Sequence, residues 1–176
     1  HDPPITFLSA GRLALHRQAK SDRLASTWIE IAMTKSPYLD GQLLIAMPGI
    51  GDTRFERSVI YMCAHSEQGA MGLIINKVAP LMLFSDLVDQ LKLSSLKEIT
   101  ALPAEMMSLP VLFGGPVEQN RGFVLHSMDY FVKSASMAIP GNVALTATIE
   151  VLEAMALGKG PSKVALALGY AGWVGG

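Results

Sequence analysis

Cysteine, aromatic residues and charge are all scarce in this sequence. One cysteine in 176 residues excludes an internal disulfide and fits a reducing compartment. Aromatic residues make up 7%, too few to suggest a stacking platform for nucleic-acid bases. Charged residues make up 16%, and 14 Lys and Arg against 15 Asp and Glu leave a net charge of -1. Without a basic excess, general nucleic-acid binding is disfavoured. No long apolar run exists either. A membrane-spanning helix needs about 20 predominantly apolar residues, and stretches such as Leu43 to Met47 and Leu73 to Ile75 read instead as buried strands. Residues 1–17 contain Pro3, Pro4, Arg12 and Arg17, with no apolar block of the kind a secretory signal requires. What remains is a chain half hydrophobic in composition and long enough for one domain with a core.

The composition shifts near Pro37. Residues 1–37 hold five Lys or Arg against three Asp or Glu, and residues 38–176 hold nine against twelve. The first segment lacks strand-like runs. It has one helical stretch, with Ser21 as N-cap and Leu24, Trp28 and Ile31 at helical spacing. It reads as an extension preceding a domain of residues 38–176. From Tyr38 the pattern is strand-rich, with runs over Gln42 to Met47, Ser58 to His65 and Ala70 to Asn76. Both faces of the second run are largely apolar, which predicts burial on both sides. Phe84 to Leu93 reads as a helix with Ser85 as N-cap and Leu87, Val88 and Leu91 on one face. Thr100 to Pro110 reads as irregular, Val111 to Phe113 and Gly122 to Ser127 as strands, Thr148 to Leu157 as a helix stopped by Gly158, and Lys163 to Leu168 as a last strand before Gly169. Regular βαβ alternation is missing, which predicts an α+β domain with a curved mixed sheet rather than a doubly wound one.

Candidate site residues fall into three groups. Gly49-Ile50-Gly51-Asp52 follows a strand, and a glycine-rich turn can offer backbone N–H groups to an anion, with Asp52 and Arg54 beside it. The dinucleotide fingerprint is incomplete, because Arg54 stands where the third glycine belongs. Gly114-Gly115-Pro116 is a second such turn, without the Lys-Ser/Thr of a phosphate loop. Both turns also read as plain connections between strands, with glycine supplying positive φ. Cys63 and His65 are two apart on one strand, so alternation puts both on the same face, where a thiolate–imidazole pair could form. The apolar surroundings oppose this by raising a thiol pKa. No Cys-x-x-Cys or His-Glu-x-x-His spacing exists, so no metal site or cofactor is expected; Cys63, His65 and His126 could meet only if their strands were neighbours.

Several strings together resemble one family. They are Gly41-Gln42-Leu43-Leu44-Ile45-Ala46-Met47-Pro48, Phe55-Glu56-Arg57-Ser58-Val59-Ile60-Tyr61-Met62-Cys63-Ala64-His65 and Gly69-Ala70-Met71-Gly72-Leu73-Ile74-Ile75-Asn76-Lys77. Further on come Gly114-Gly115-Pro116-Val117, Arg121-Gly122-Phe123-Val124-Leu125-His126-Ser127 and Leu168-Gly169-Tyr170-Ala171-Gly172-Trp173. In order and spacing this set resembles the bacterial YqgE/AlgH family, from about Tyr38 to Trp173. The resemblance implies an α+β fold with a mixed sheet curled into a pseudo-barrel and flanking helices, and a bacterial cytoplasmic protein. It implies no particular reaction and supplies no catalytic residue to carry over. The AlgH name associates the family with regulation of alginate production, and members carry the label of transcriptional regulators. No helix-turn-helix or basic recognition helix supports direct DNA reading here. The family's usual C-terminal part, which follows the Gly-Tyr-Ala-Gly-Trp string, is not expected in residues 38–176, and Val174 stands where that pattern has glycine. The expectation is therefore a non-catalytic regulatory module that binds a protein or a small molecule through the glycine turns. The alternatives are an enzyme using Cys63 and His65, as a hydrolase or redox protein, and a direct DNA-binding regulator.

Overall fold

A computed structural model describes residues 7–9, 37–93 and 101–175. The helical stretch around Trp28 lies outside the described residues. Three further strands join the fold after Tyr38. In chain order the elements are β1 (Phe7–Ser9), β2 (Leu43–Ala46), β3 (Val59–Ser66), β4 (Gly69–Ile74), β5 (Val78–Leu83) and α1 (Phe84–Gln90). They continue with α2 (Ala104–Met107), β6 (Pro110–Phe113), β7 (Val117–Ser127), β8 (Ser136–Ile139), β9 (Val143–Thr146), α3 (Ile149–Ala156) and β10 (Val164–Val174). The strands form one sheet in the order β1-β2-β3-β4-β10-β7-β9-β8, with β6 on β10 and β5 on β6. Among the described strands only β6 and β10 pair in parallel, so the sheet is mixed as expected.

The curl comes from β10. Its first half, Val164 to Leu168, lies between β6 and β7, and its second half, Ala171 to Val174, pairs with β4. One long strand thereby joins two half-sheets at an angle. The break in register falls at Gly169, where β7 jumps from Gly122 to Val117 while β10 moves only from Leu168 to Tyr170. The two amphipathic helices α1 and α3 cover one side, burying Phe84, Leu87, Val88, Val151, Leu152 and Met155 against Val111, Val124 and Leu166. Two smaller clusters line the sheet elsewhere, one around Ile60, Met62 and Ile74 and one around Cys63, Leu73 and Phe123. Strand β3 contributes to both, as its two apolar faces predict.

Several elements differ from the sequence reading. The 1–37 segment does carry a strand, since β1 pairs with β2. Helix α1 is capped at Leu83 rather than Ser85, because the Asp86 carboxylate accepts the Leu83 N–H at 2.7 Å and fixes the turn two residues earlier. Leu91 is the C-cap and is exposed. The irregular region holds the one-turn helix α2. The last strand does not stop at Gly169 but bulges there and continues to Val174.

Candidate functional site

Cys63 and His65 are held on opposite faces of the sheet. Met62 pairs with Gly72 and Ala64 with Met71, so Cys63 is the extra residue of a bulge, and alternation shifts by one beyond it. Cys63 packs with Leu73 and Phe123, whereas His65 lies opposite Ala70 on the other side. The same-face expectation is thereby corrected. The Cys63 thiol approaches the Tyr61 carbonyl at 3.6 Å, and burial pushes its pKa up to about 12. His65 Nδ1 accepts the Leu39 N–H at 3.0 Å, its backbone N–H donates to Asp40 Oδ1 at 2.6 Å, and Tyr38 meets its ring edge-on. These bonds fasten the chain entering β2 onto β3. His126 is buried on β7, with Nδ1 donating to the Ser127 carbonyl at 2.9 Å and Nε2 against Thr146 Oγ1 at 2.8 Å. Among the described residues no group of three His, Cys, Asp or Glu is placed to hold a metal ion.

The two glycine turns have different geometries. Gly49 and Gly51 have φ of 75° and 77° in open surroundings, so both serve a solvent-exposed turn. Asp52 and Arg54 point at each other. Arg54 Nη2 lies 2.7 Å from Asp52 Oδ2 and Nε 3.0 Å from Oδ1, and Arg54 holds the Asp52 carboxyl below its usual range. Phe55, buried beside Trp173, anchors this loop. A small hollow of 220 Å³ lies between Gly49 and Glu56. Gly114 and Gly115 are buried. A Cβ on Gly114 would run into the Gly169 carbonyl, and one on Gly115 into the Tyr170 backbone. The Gly114 N–H donates to Leu168 at 2.8 Å. Their N–H-bearing turn is packed into the β10 bulge, where two backbones cross, and faces protein.

That crossing sets the position of Tyr170, and Tyr170 helps form a broad surface groove. A groove of 610 Å³ runs between β4, β10 and β7. Its wall is Phe123 and Tyr170, edge to face with ring centres 5.6 Å apart, together with Met71. Arg121 stands at the rim, 5.3 Å from the Phe123 ring centre, with Nη1 3.1 Å from Glu118 Oε2. Gly172 opens the floor: a Cβ there would touch the Tyr170 ring at 3.1 Å. The surface thus combines an apolar body with one cation at its edge.

The AlgH-like family model matches residues 43–176. The chain belongs to this family. A UPF0301 protein of Methylocella silvestris is 55% identical over 139 residues, covering 79% of this chain and 68% of that protein. One from Bradyrhizobium diazoefficiens is 54% identical and covers 79% of this chain and 65% of that protein. The chain thus spans about two thirds of the length of these curated relatives. Among solved structures, the solution structure of the AlgH protein from Pseudomonas aeruginosa matches with a TM-score of 0.62 and 40% identity, over 81% of this chain and 72% of that one. DIP2367 from Corynebacterium diphtheriae has a TM-score of 0.59 at 17% identity, over 84% and 73%, a likeness of fold.

None of the sequence-chosen residues lines the groove of this AlgH-like chain. Gly114 and Gly115 stand behind its wall, Cys63 is beneath the sheet surface, and Asp52 and Arg54 are on a separate loop. The missed residues are Arg121, Phe123, Tyr170 and Gly172. A signal existed in Arg-Gly-Phe and Gly-Tyr-Ala-Gly-Trp, where glycines beside aromatic residues strip side chains from one strand face and leave rings reachable.

Proposed function

We propose that this chain is a non-catalytic regulatory module whose domain, residues 38–176, binds an amphipathic ligand in the β4–β10–β7 groove. The single observation behind this reading is the groove itself: three large apolar side chains, Met71, Phe123 and Tyr170, around a glycine floor, with a guanidinium at the rim. A flat apolar body would lie on Phe123, Tyr170 and Met71, displacing water from surface that is costly to leave wet. Its acidic group would take Arg121, whose pairing with Glu118 is exposed and therefore weak. The alternative chemistry through Cys63 and His65 lacks a shared face, and a net charge of -1 gives direct DNA reading no basic excess to draw on. A cytoplasmic setting goes with the single free cysteine. Among the described residues no helix is long and apolar enough to cross a membrane.

The probe that tests it is 8-anilinonaphthalene-1-sulfonate, an aromatic apolar body with one anionic group. The native protein should enhance its fluorescence saturably, and Gly172→Leu, which fills the floor, should abolish that enhancement while leaving the fold intact. Equal enhancement in both proteins would remove the groove from the proposal. Native mass spectrometry of freshly purified protein then asks whether a resident ligand is carried, as a mass lost on denaturation.

A further inference from the structure

We propose that the outer edge of β2 is a strand-addition site for an extended peptide, and that the chain's own β1 occupies it as a displaceable cover. This surface lies at the far end of the sheet order from β8 and is separate from the groove. The argument begins with where the backbone groups of β2 point. The Ala46 N–H donates to the Ser58 carbonyl at 2.9 Å, and the Gln42 carbonyl accepts the Met62 N–H at 2.9 Å. Even-numbered positions of β2 therefore turn their backbone groups inward to β3. In an extended strand the odd-numbered ones, Leu43 and Ile45, then turn outward.

Strand β1 has three residues, paired Phe7 with Ala46, Leu8 with Ile45 and Ser9 with Leu44. Of these, only the Leu8–Ile45 pair falls on an outward position. The cover is thus centred on one closely spaced pair of ladder hydrogen bonds, each contributing on the order of 1 kcal/mol net. It arrives from more than 30 residues away in sequence, so loop closure opposes it further. An extended peptide of five or more residues would reach Leu43 and Ile45 together and gain more of the ladder. Its side-chain pattern is set by β2, where Leu44 and Ala46 are buried and Ile45 is 46% exposed. Small or apolar residues are called for opposite Leu44 and Ala46, where β1 places Ser9 and Phe7, and either a polar or an apolar one is tolerated opposite Ile45. Main-chain pairing supplies affinity and this alternation supplies selectivity, the logic of strand addition to an open edge. An uncovered edge is also a route to unwanted association, which gives a self-supplied cover a reason to exist.

The test uses the full chain and a fluorescent peptide with the sequence of residues 5–11. Leu8→Pro removes the one outward-paired donor of β1. If β1 is an internal competitor, the peptide should bind this variant about tenfold more tightly than the wild type, since the tethered strand competes at high effective concentration. The Ile45 amide should exchange slowly in the wild type, quickly in Leu8→Pro, and slowly again once peptide is added. Ile45→Pro, which removes an outward donor and leaves the β3 side alone, should bind no peptide. Should Ile45→Pro fail to fold, the Leu8→Pro comparison still decides. Equal affinity for wild type and Leu8→Pro, no binding to either, or an Ile45 amide that exchanges equally fast in both would overturn the proposal. So would a wild-type dimer abolished by Leu8→Pro, because the strand would then belong to a second copy.

Discussion

At the scale of single residues, environment separates groups that look equally reactive in the sequence. Cys63 is the only thiol, yet it sits in a bulge against Leu73 and Phe123 with its pKa raised to about 12 by burial. Iodoacetamide at pH 8 should leave it unlabelled in the native protein and label it fully in denaturant. Rapid native labelling would mean that the β3 bulge opens. Asp129 shows the opposite shift. It follows the end of β7 and accepts from the Ser127 hydroxyl and from the Ser162 N–H at 3.0 Å, which brings its pKa from 3.8 to about 2. Because the folded value is the lower one, the carboxylate stabilises the fold above pH 4, and that contribution disappears as pH falls through about 2. The difference in unfolding midpoint between the native protein and Asp129→Asn should therefore be full at pH 6 and mostly lost by pH 2. A constant difference across that range would assign the effect to packing instead.

Among the elements, β10 explains both what the sequence revealed and what it concealed. Its apolar first half was legible, and so were β2, β3, β4 and α3, because their periodicity is strong and their ends are marked by turn residues. Its second half was hidden by Gly169, which reads as a stop but takes φ of 73° inside a bulge. Strands β5, β8 and β9 are short, and β5 includes Pro80 and a positive φ at Leu81, so local pattern gives them little signal. The groove was illegible for a related reason. Its residues come from β3, β4, β7 and β10, which meet only once β10 joins β4 to β7, and no local spacing encodes that meeting. The reverse holds for Gly114 and Gly115, visible as a motif but used for close backbone approach. Gly115→Ala should accordingly destabilise the protein severely, by roughly 3 kcal/mol or more, since its Cβ has only β10 backbone to meet at a φ of 154°. Gly51→Ala, exposed at φ 77° with nothing nearby, should cost about 1 kcal/mol. Urea unfolding of the two variants checks the contrast, and similar losses would contradict the crossing described for Gly115.

For the molecule as a whole, the AlgH-like fold is one curled sheet closed by a strand that follows all of its partners in the chain. Strands β4, β6 and β7 come first, and each must wait for β10 before its second edge is paired. During synthesis on the ribosome, most of the sheet therefore emerges with these edges open, and no amount of local strand formation can close it. The pairs that complete it span large separations, such as Ala171 with Gly72, which favours slow folding. Open edges in a half-finished sheet are the surfaces that nascent chains lose to aggregation. The shared strand that makes the sheet a unit thus makes the newborn chain dependent on reaching β10 before a neighbour finds the gap.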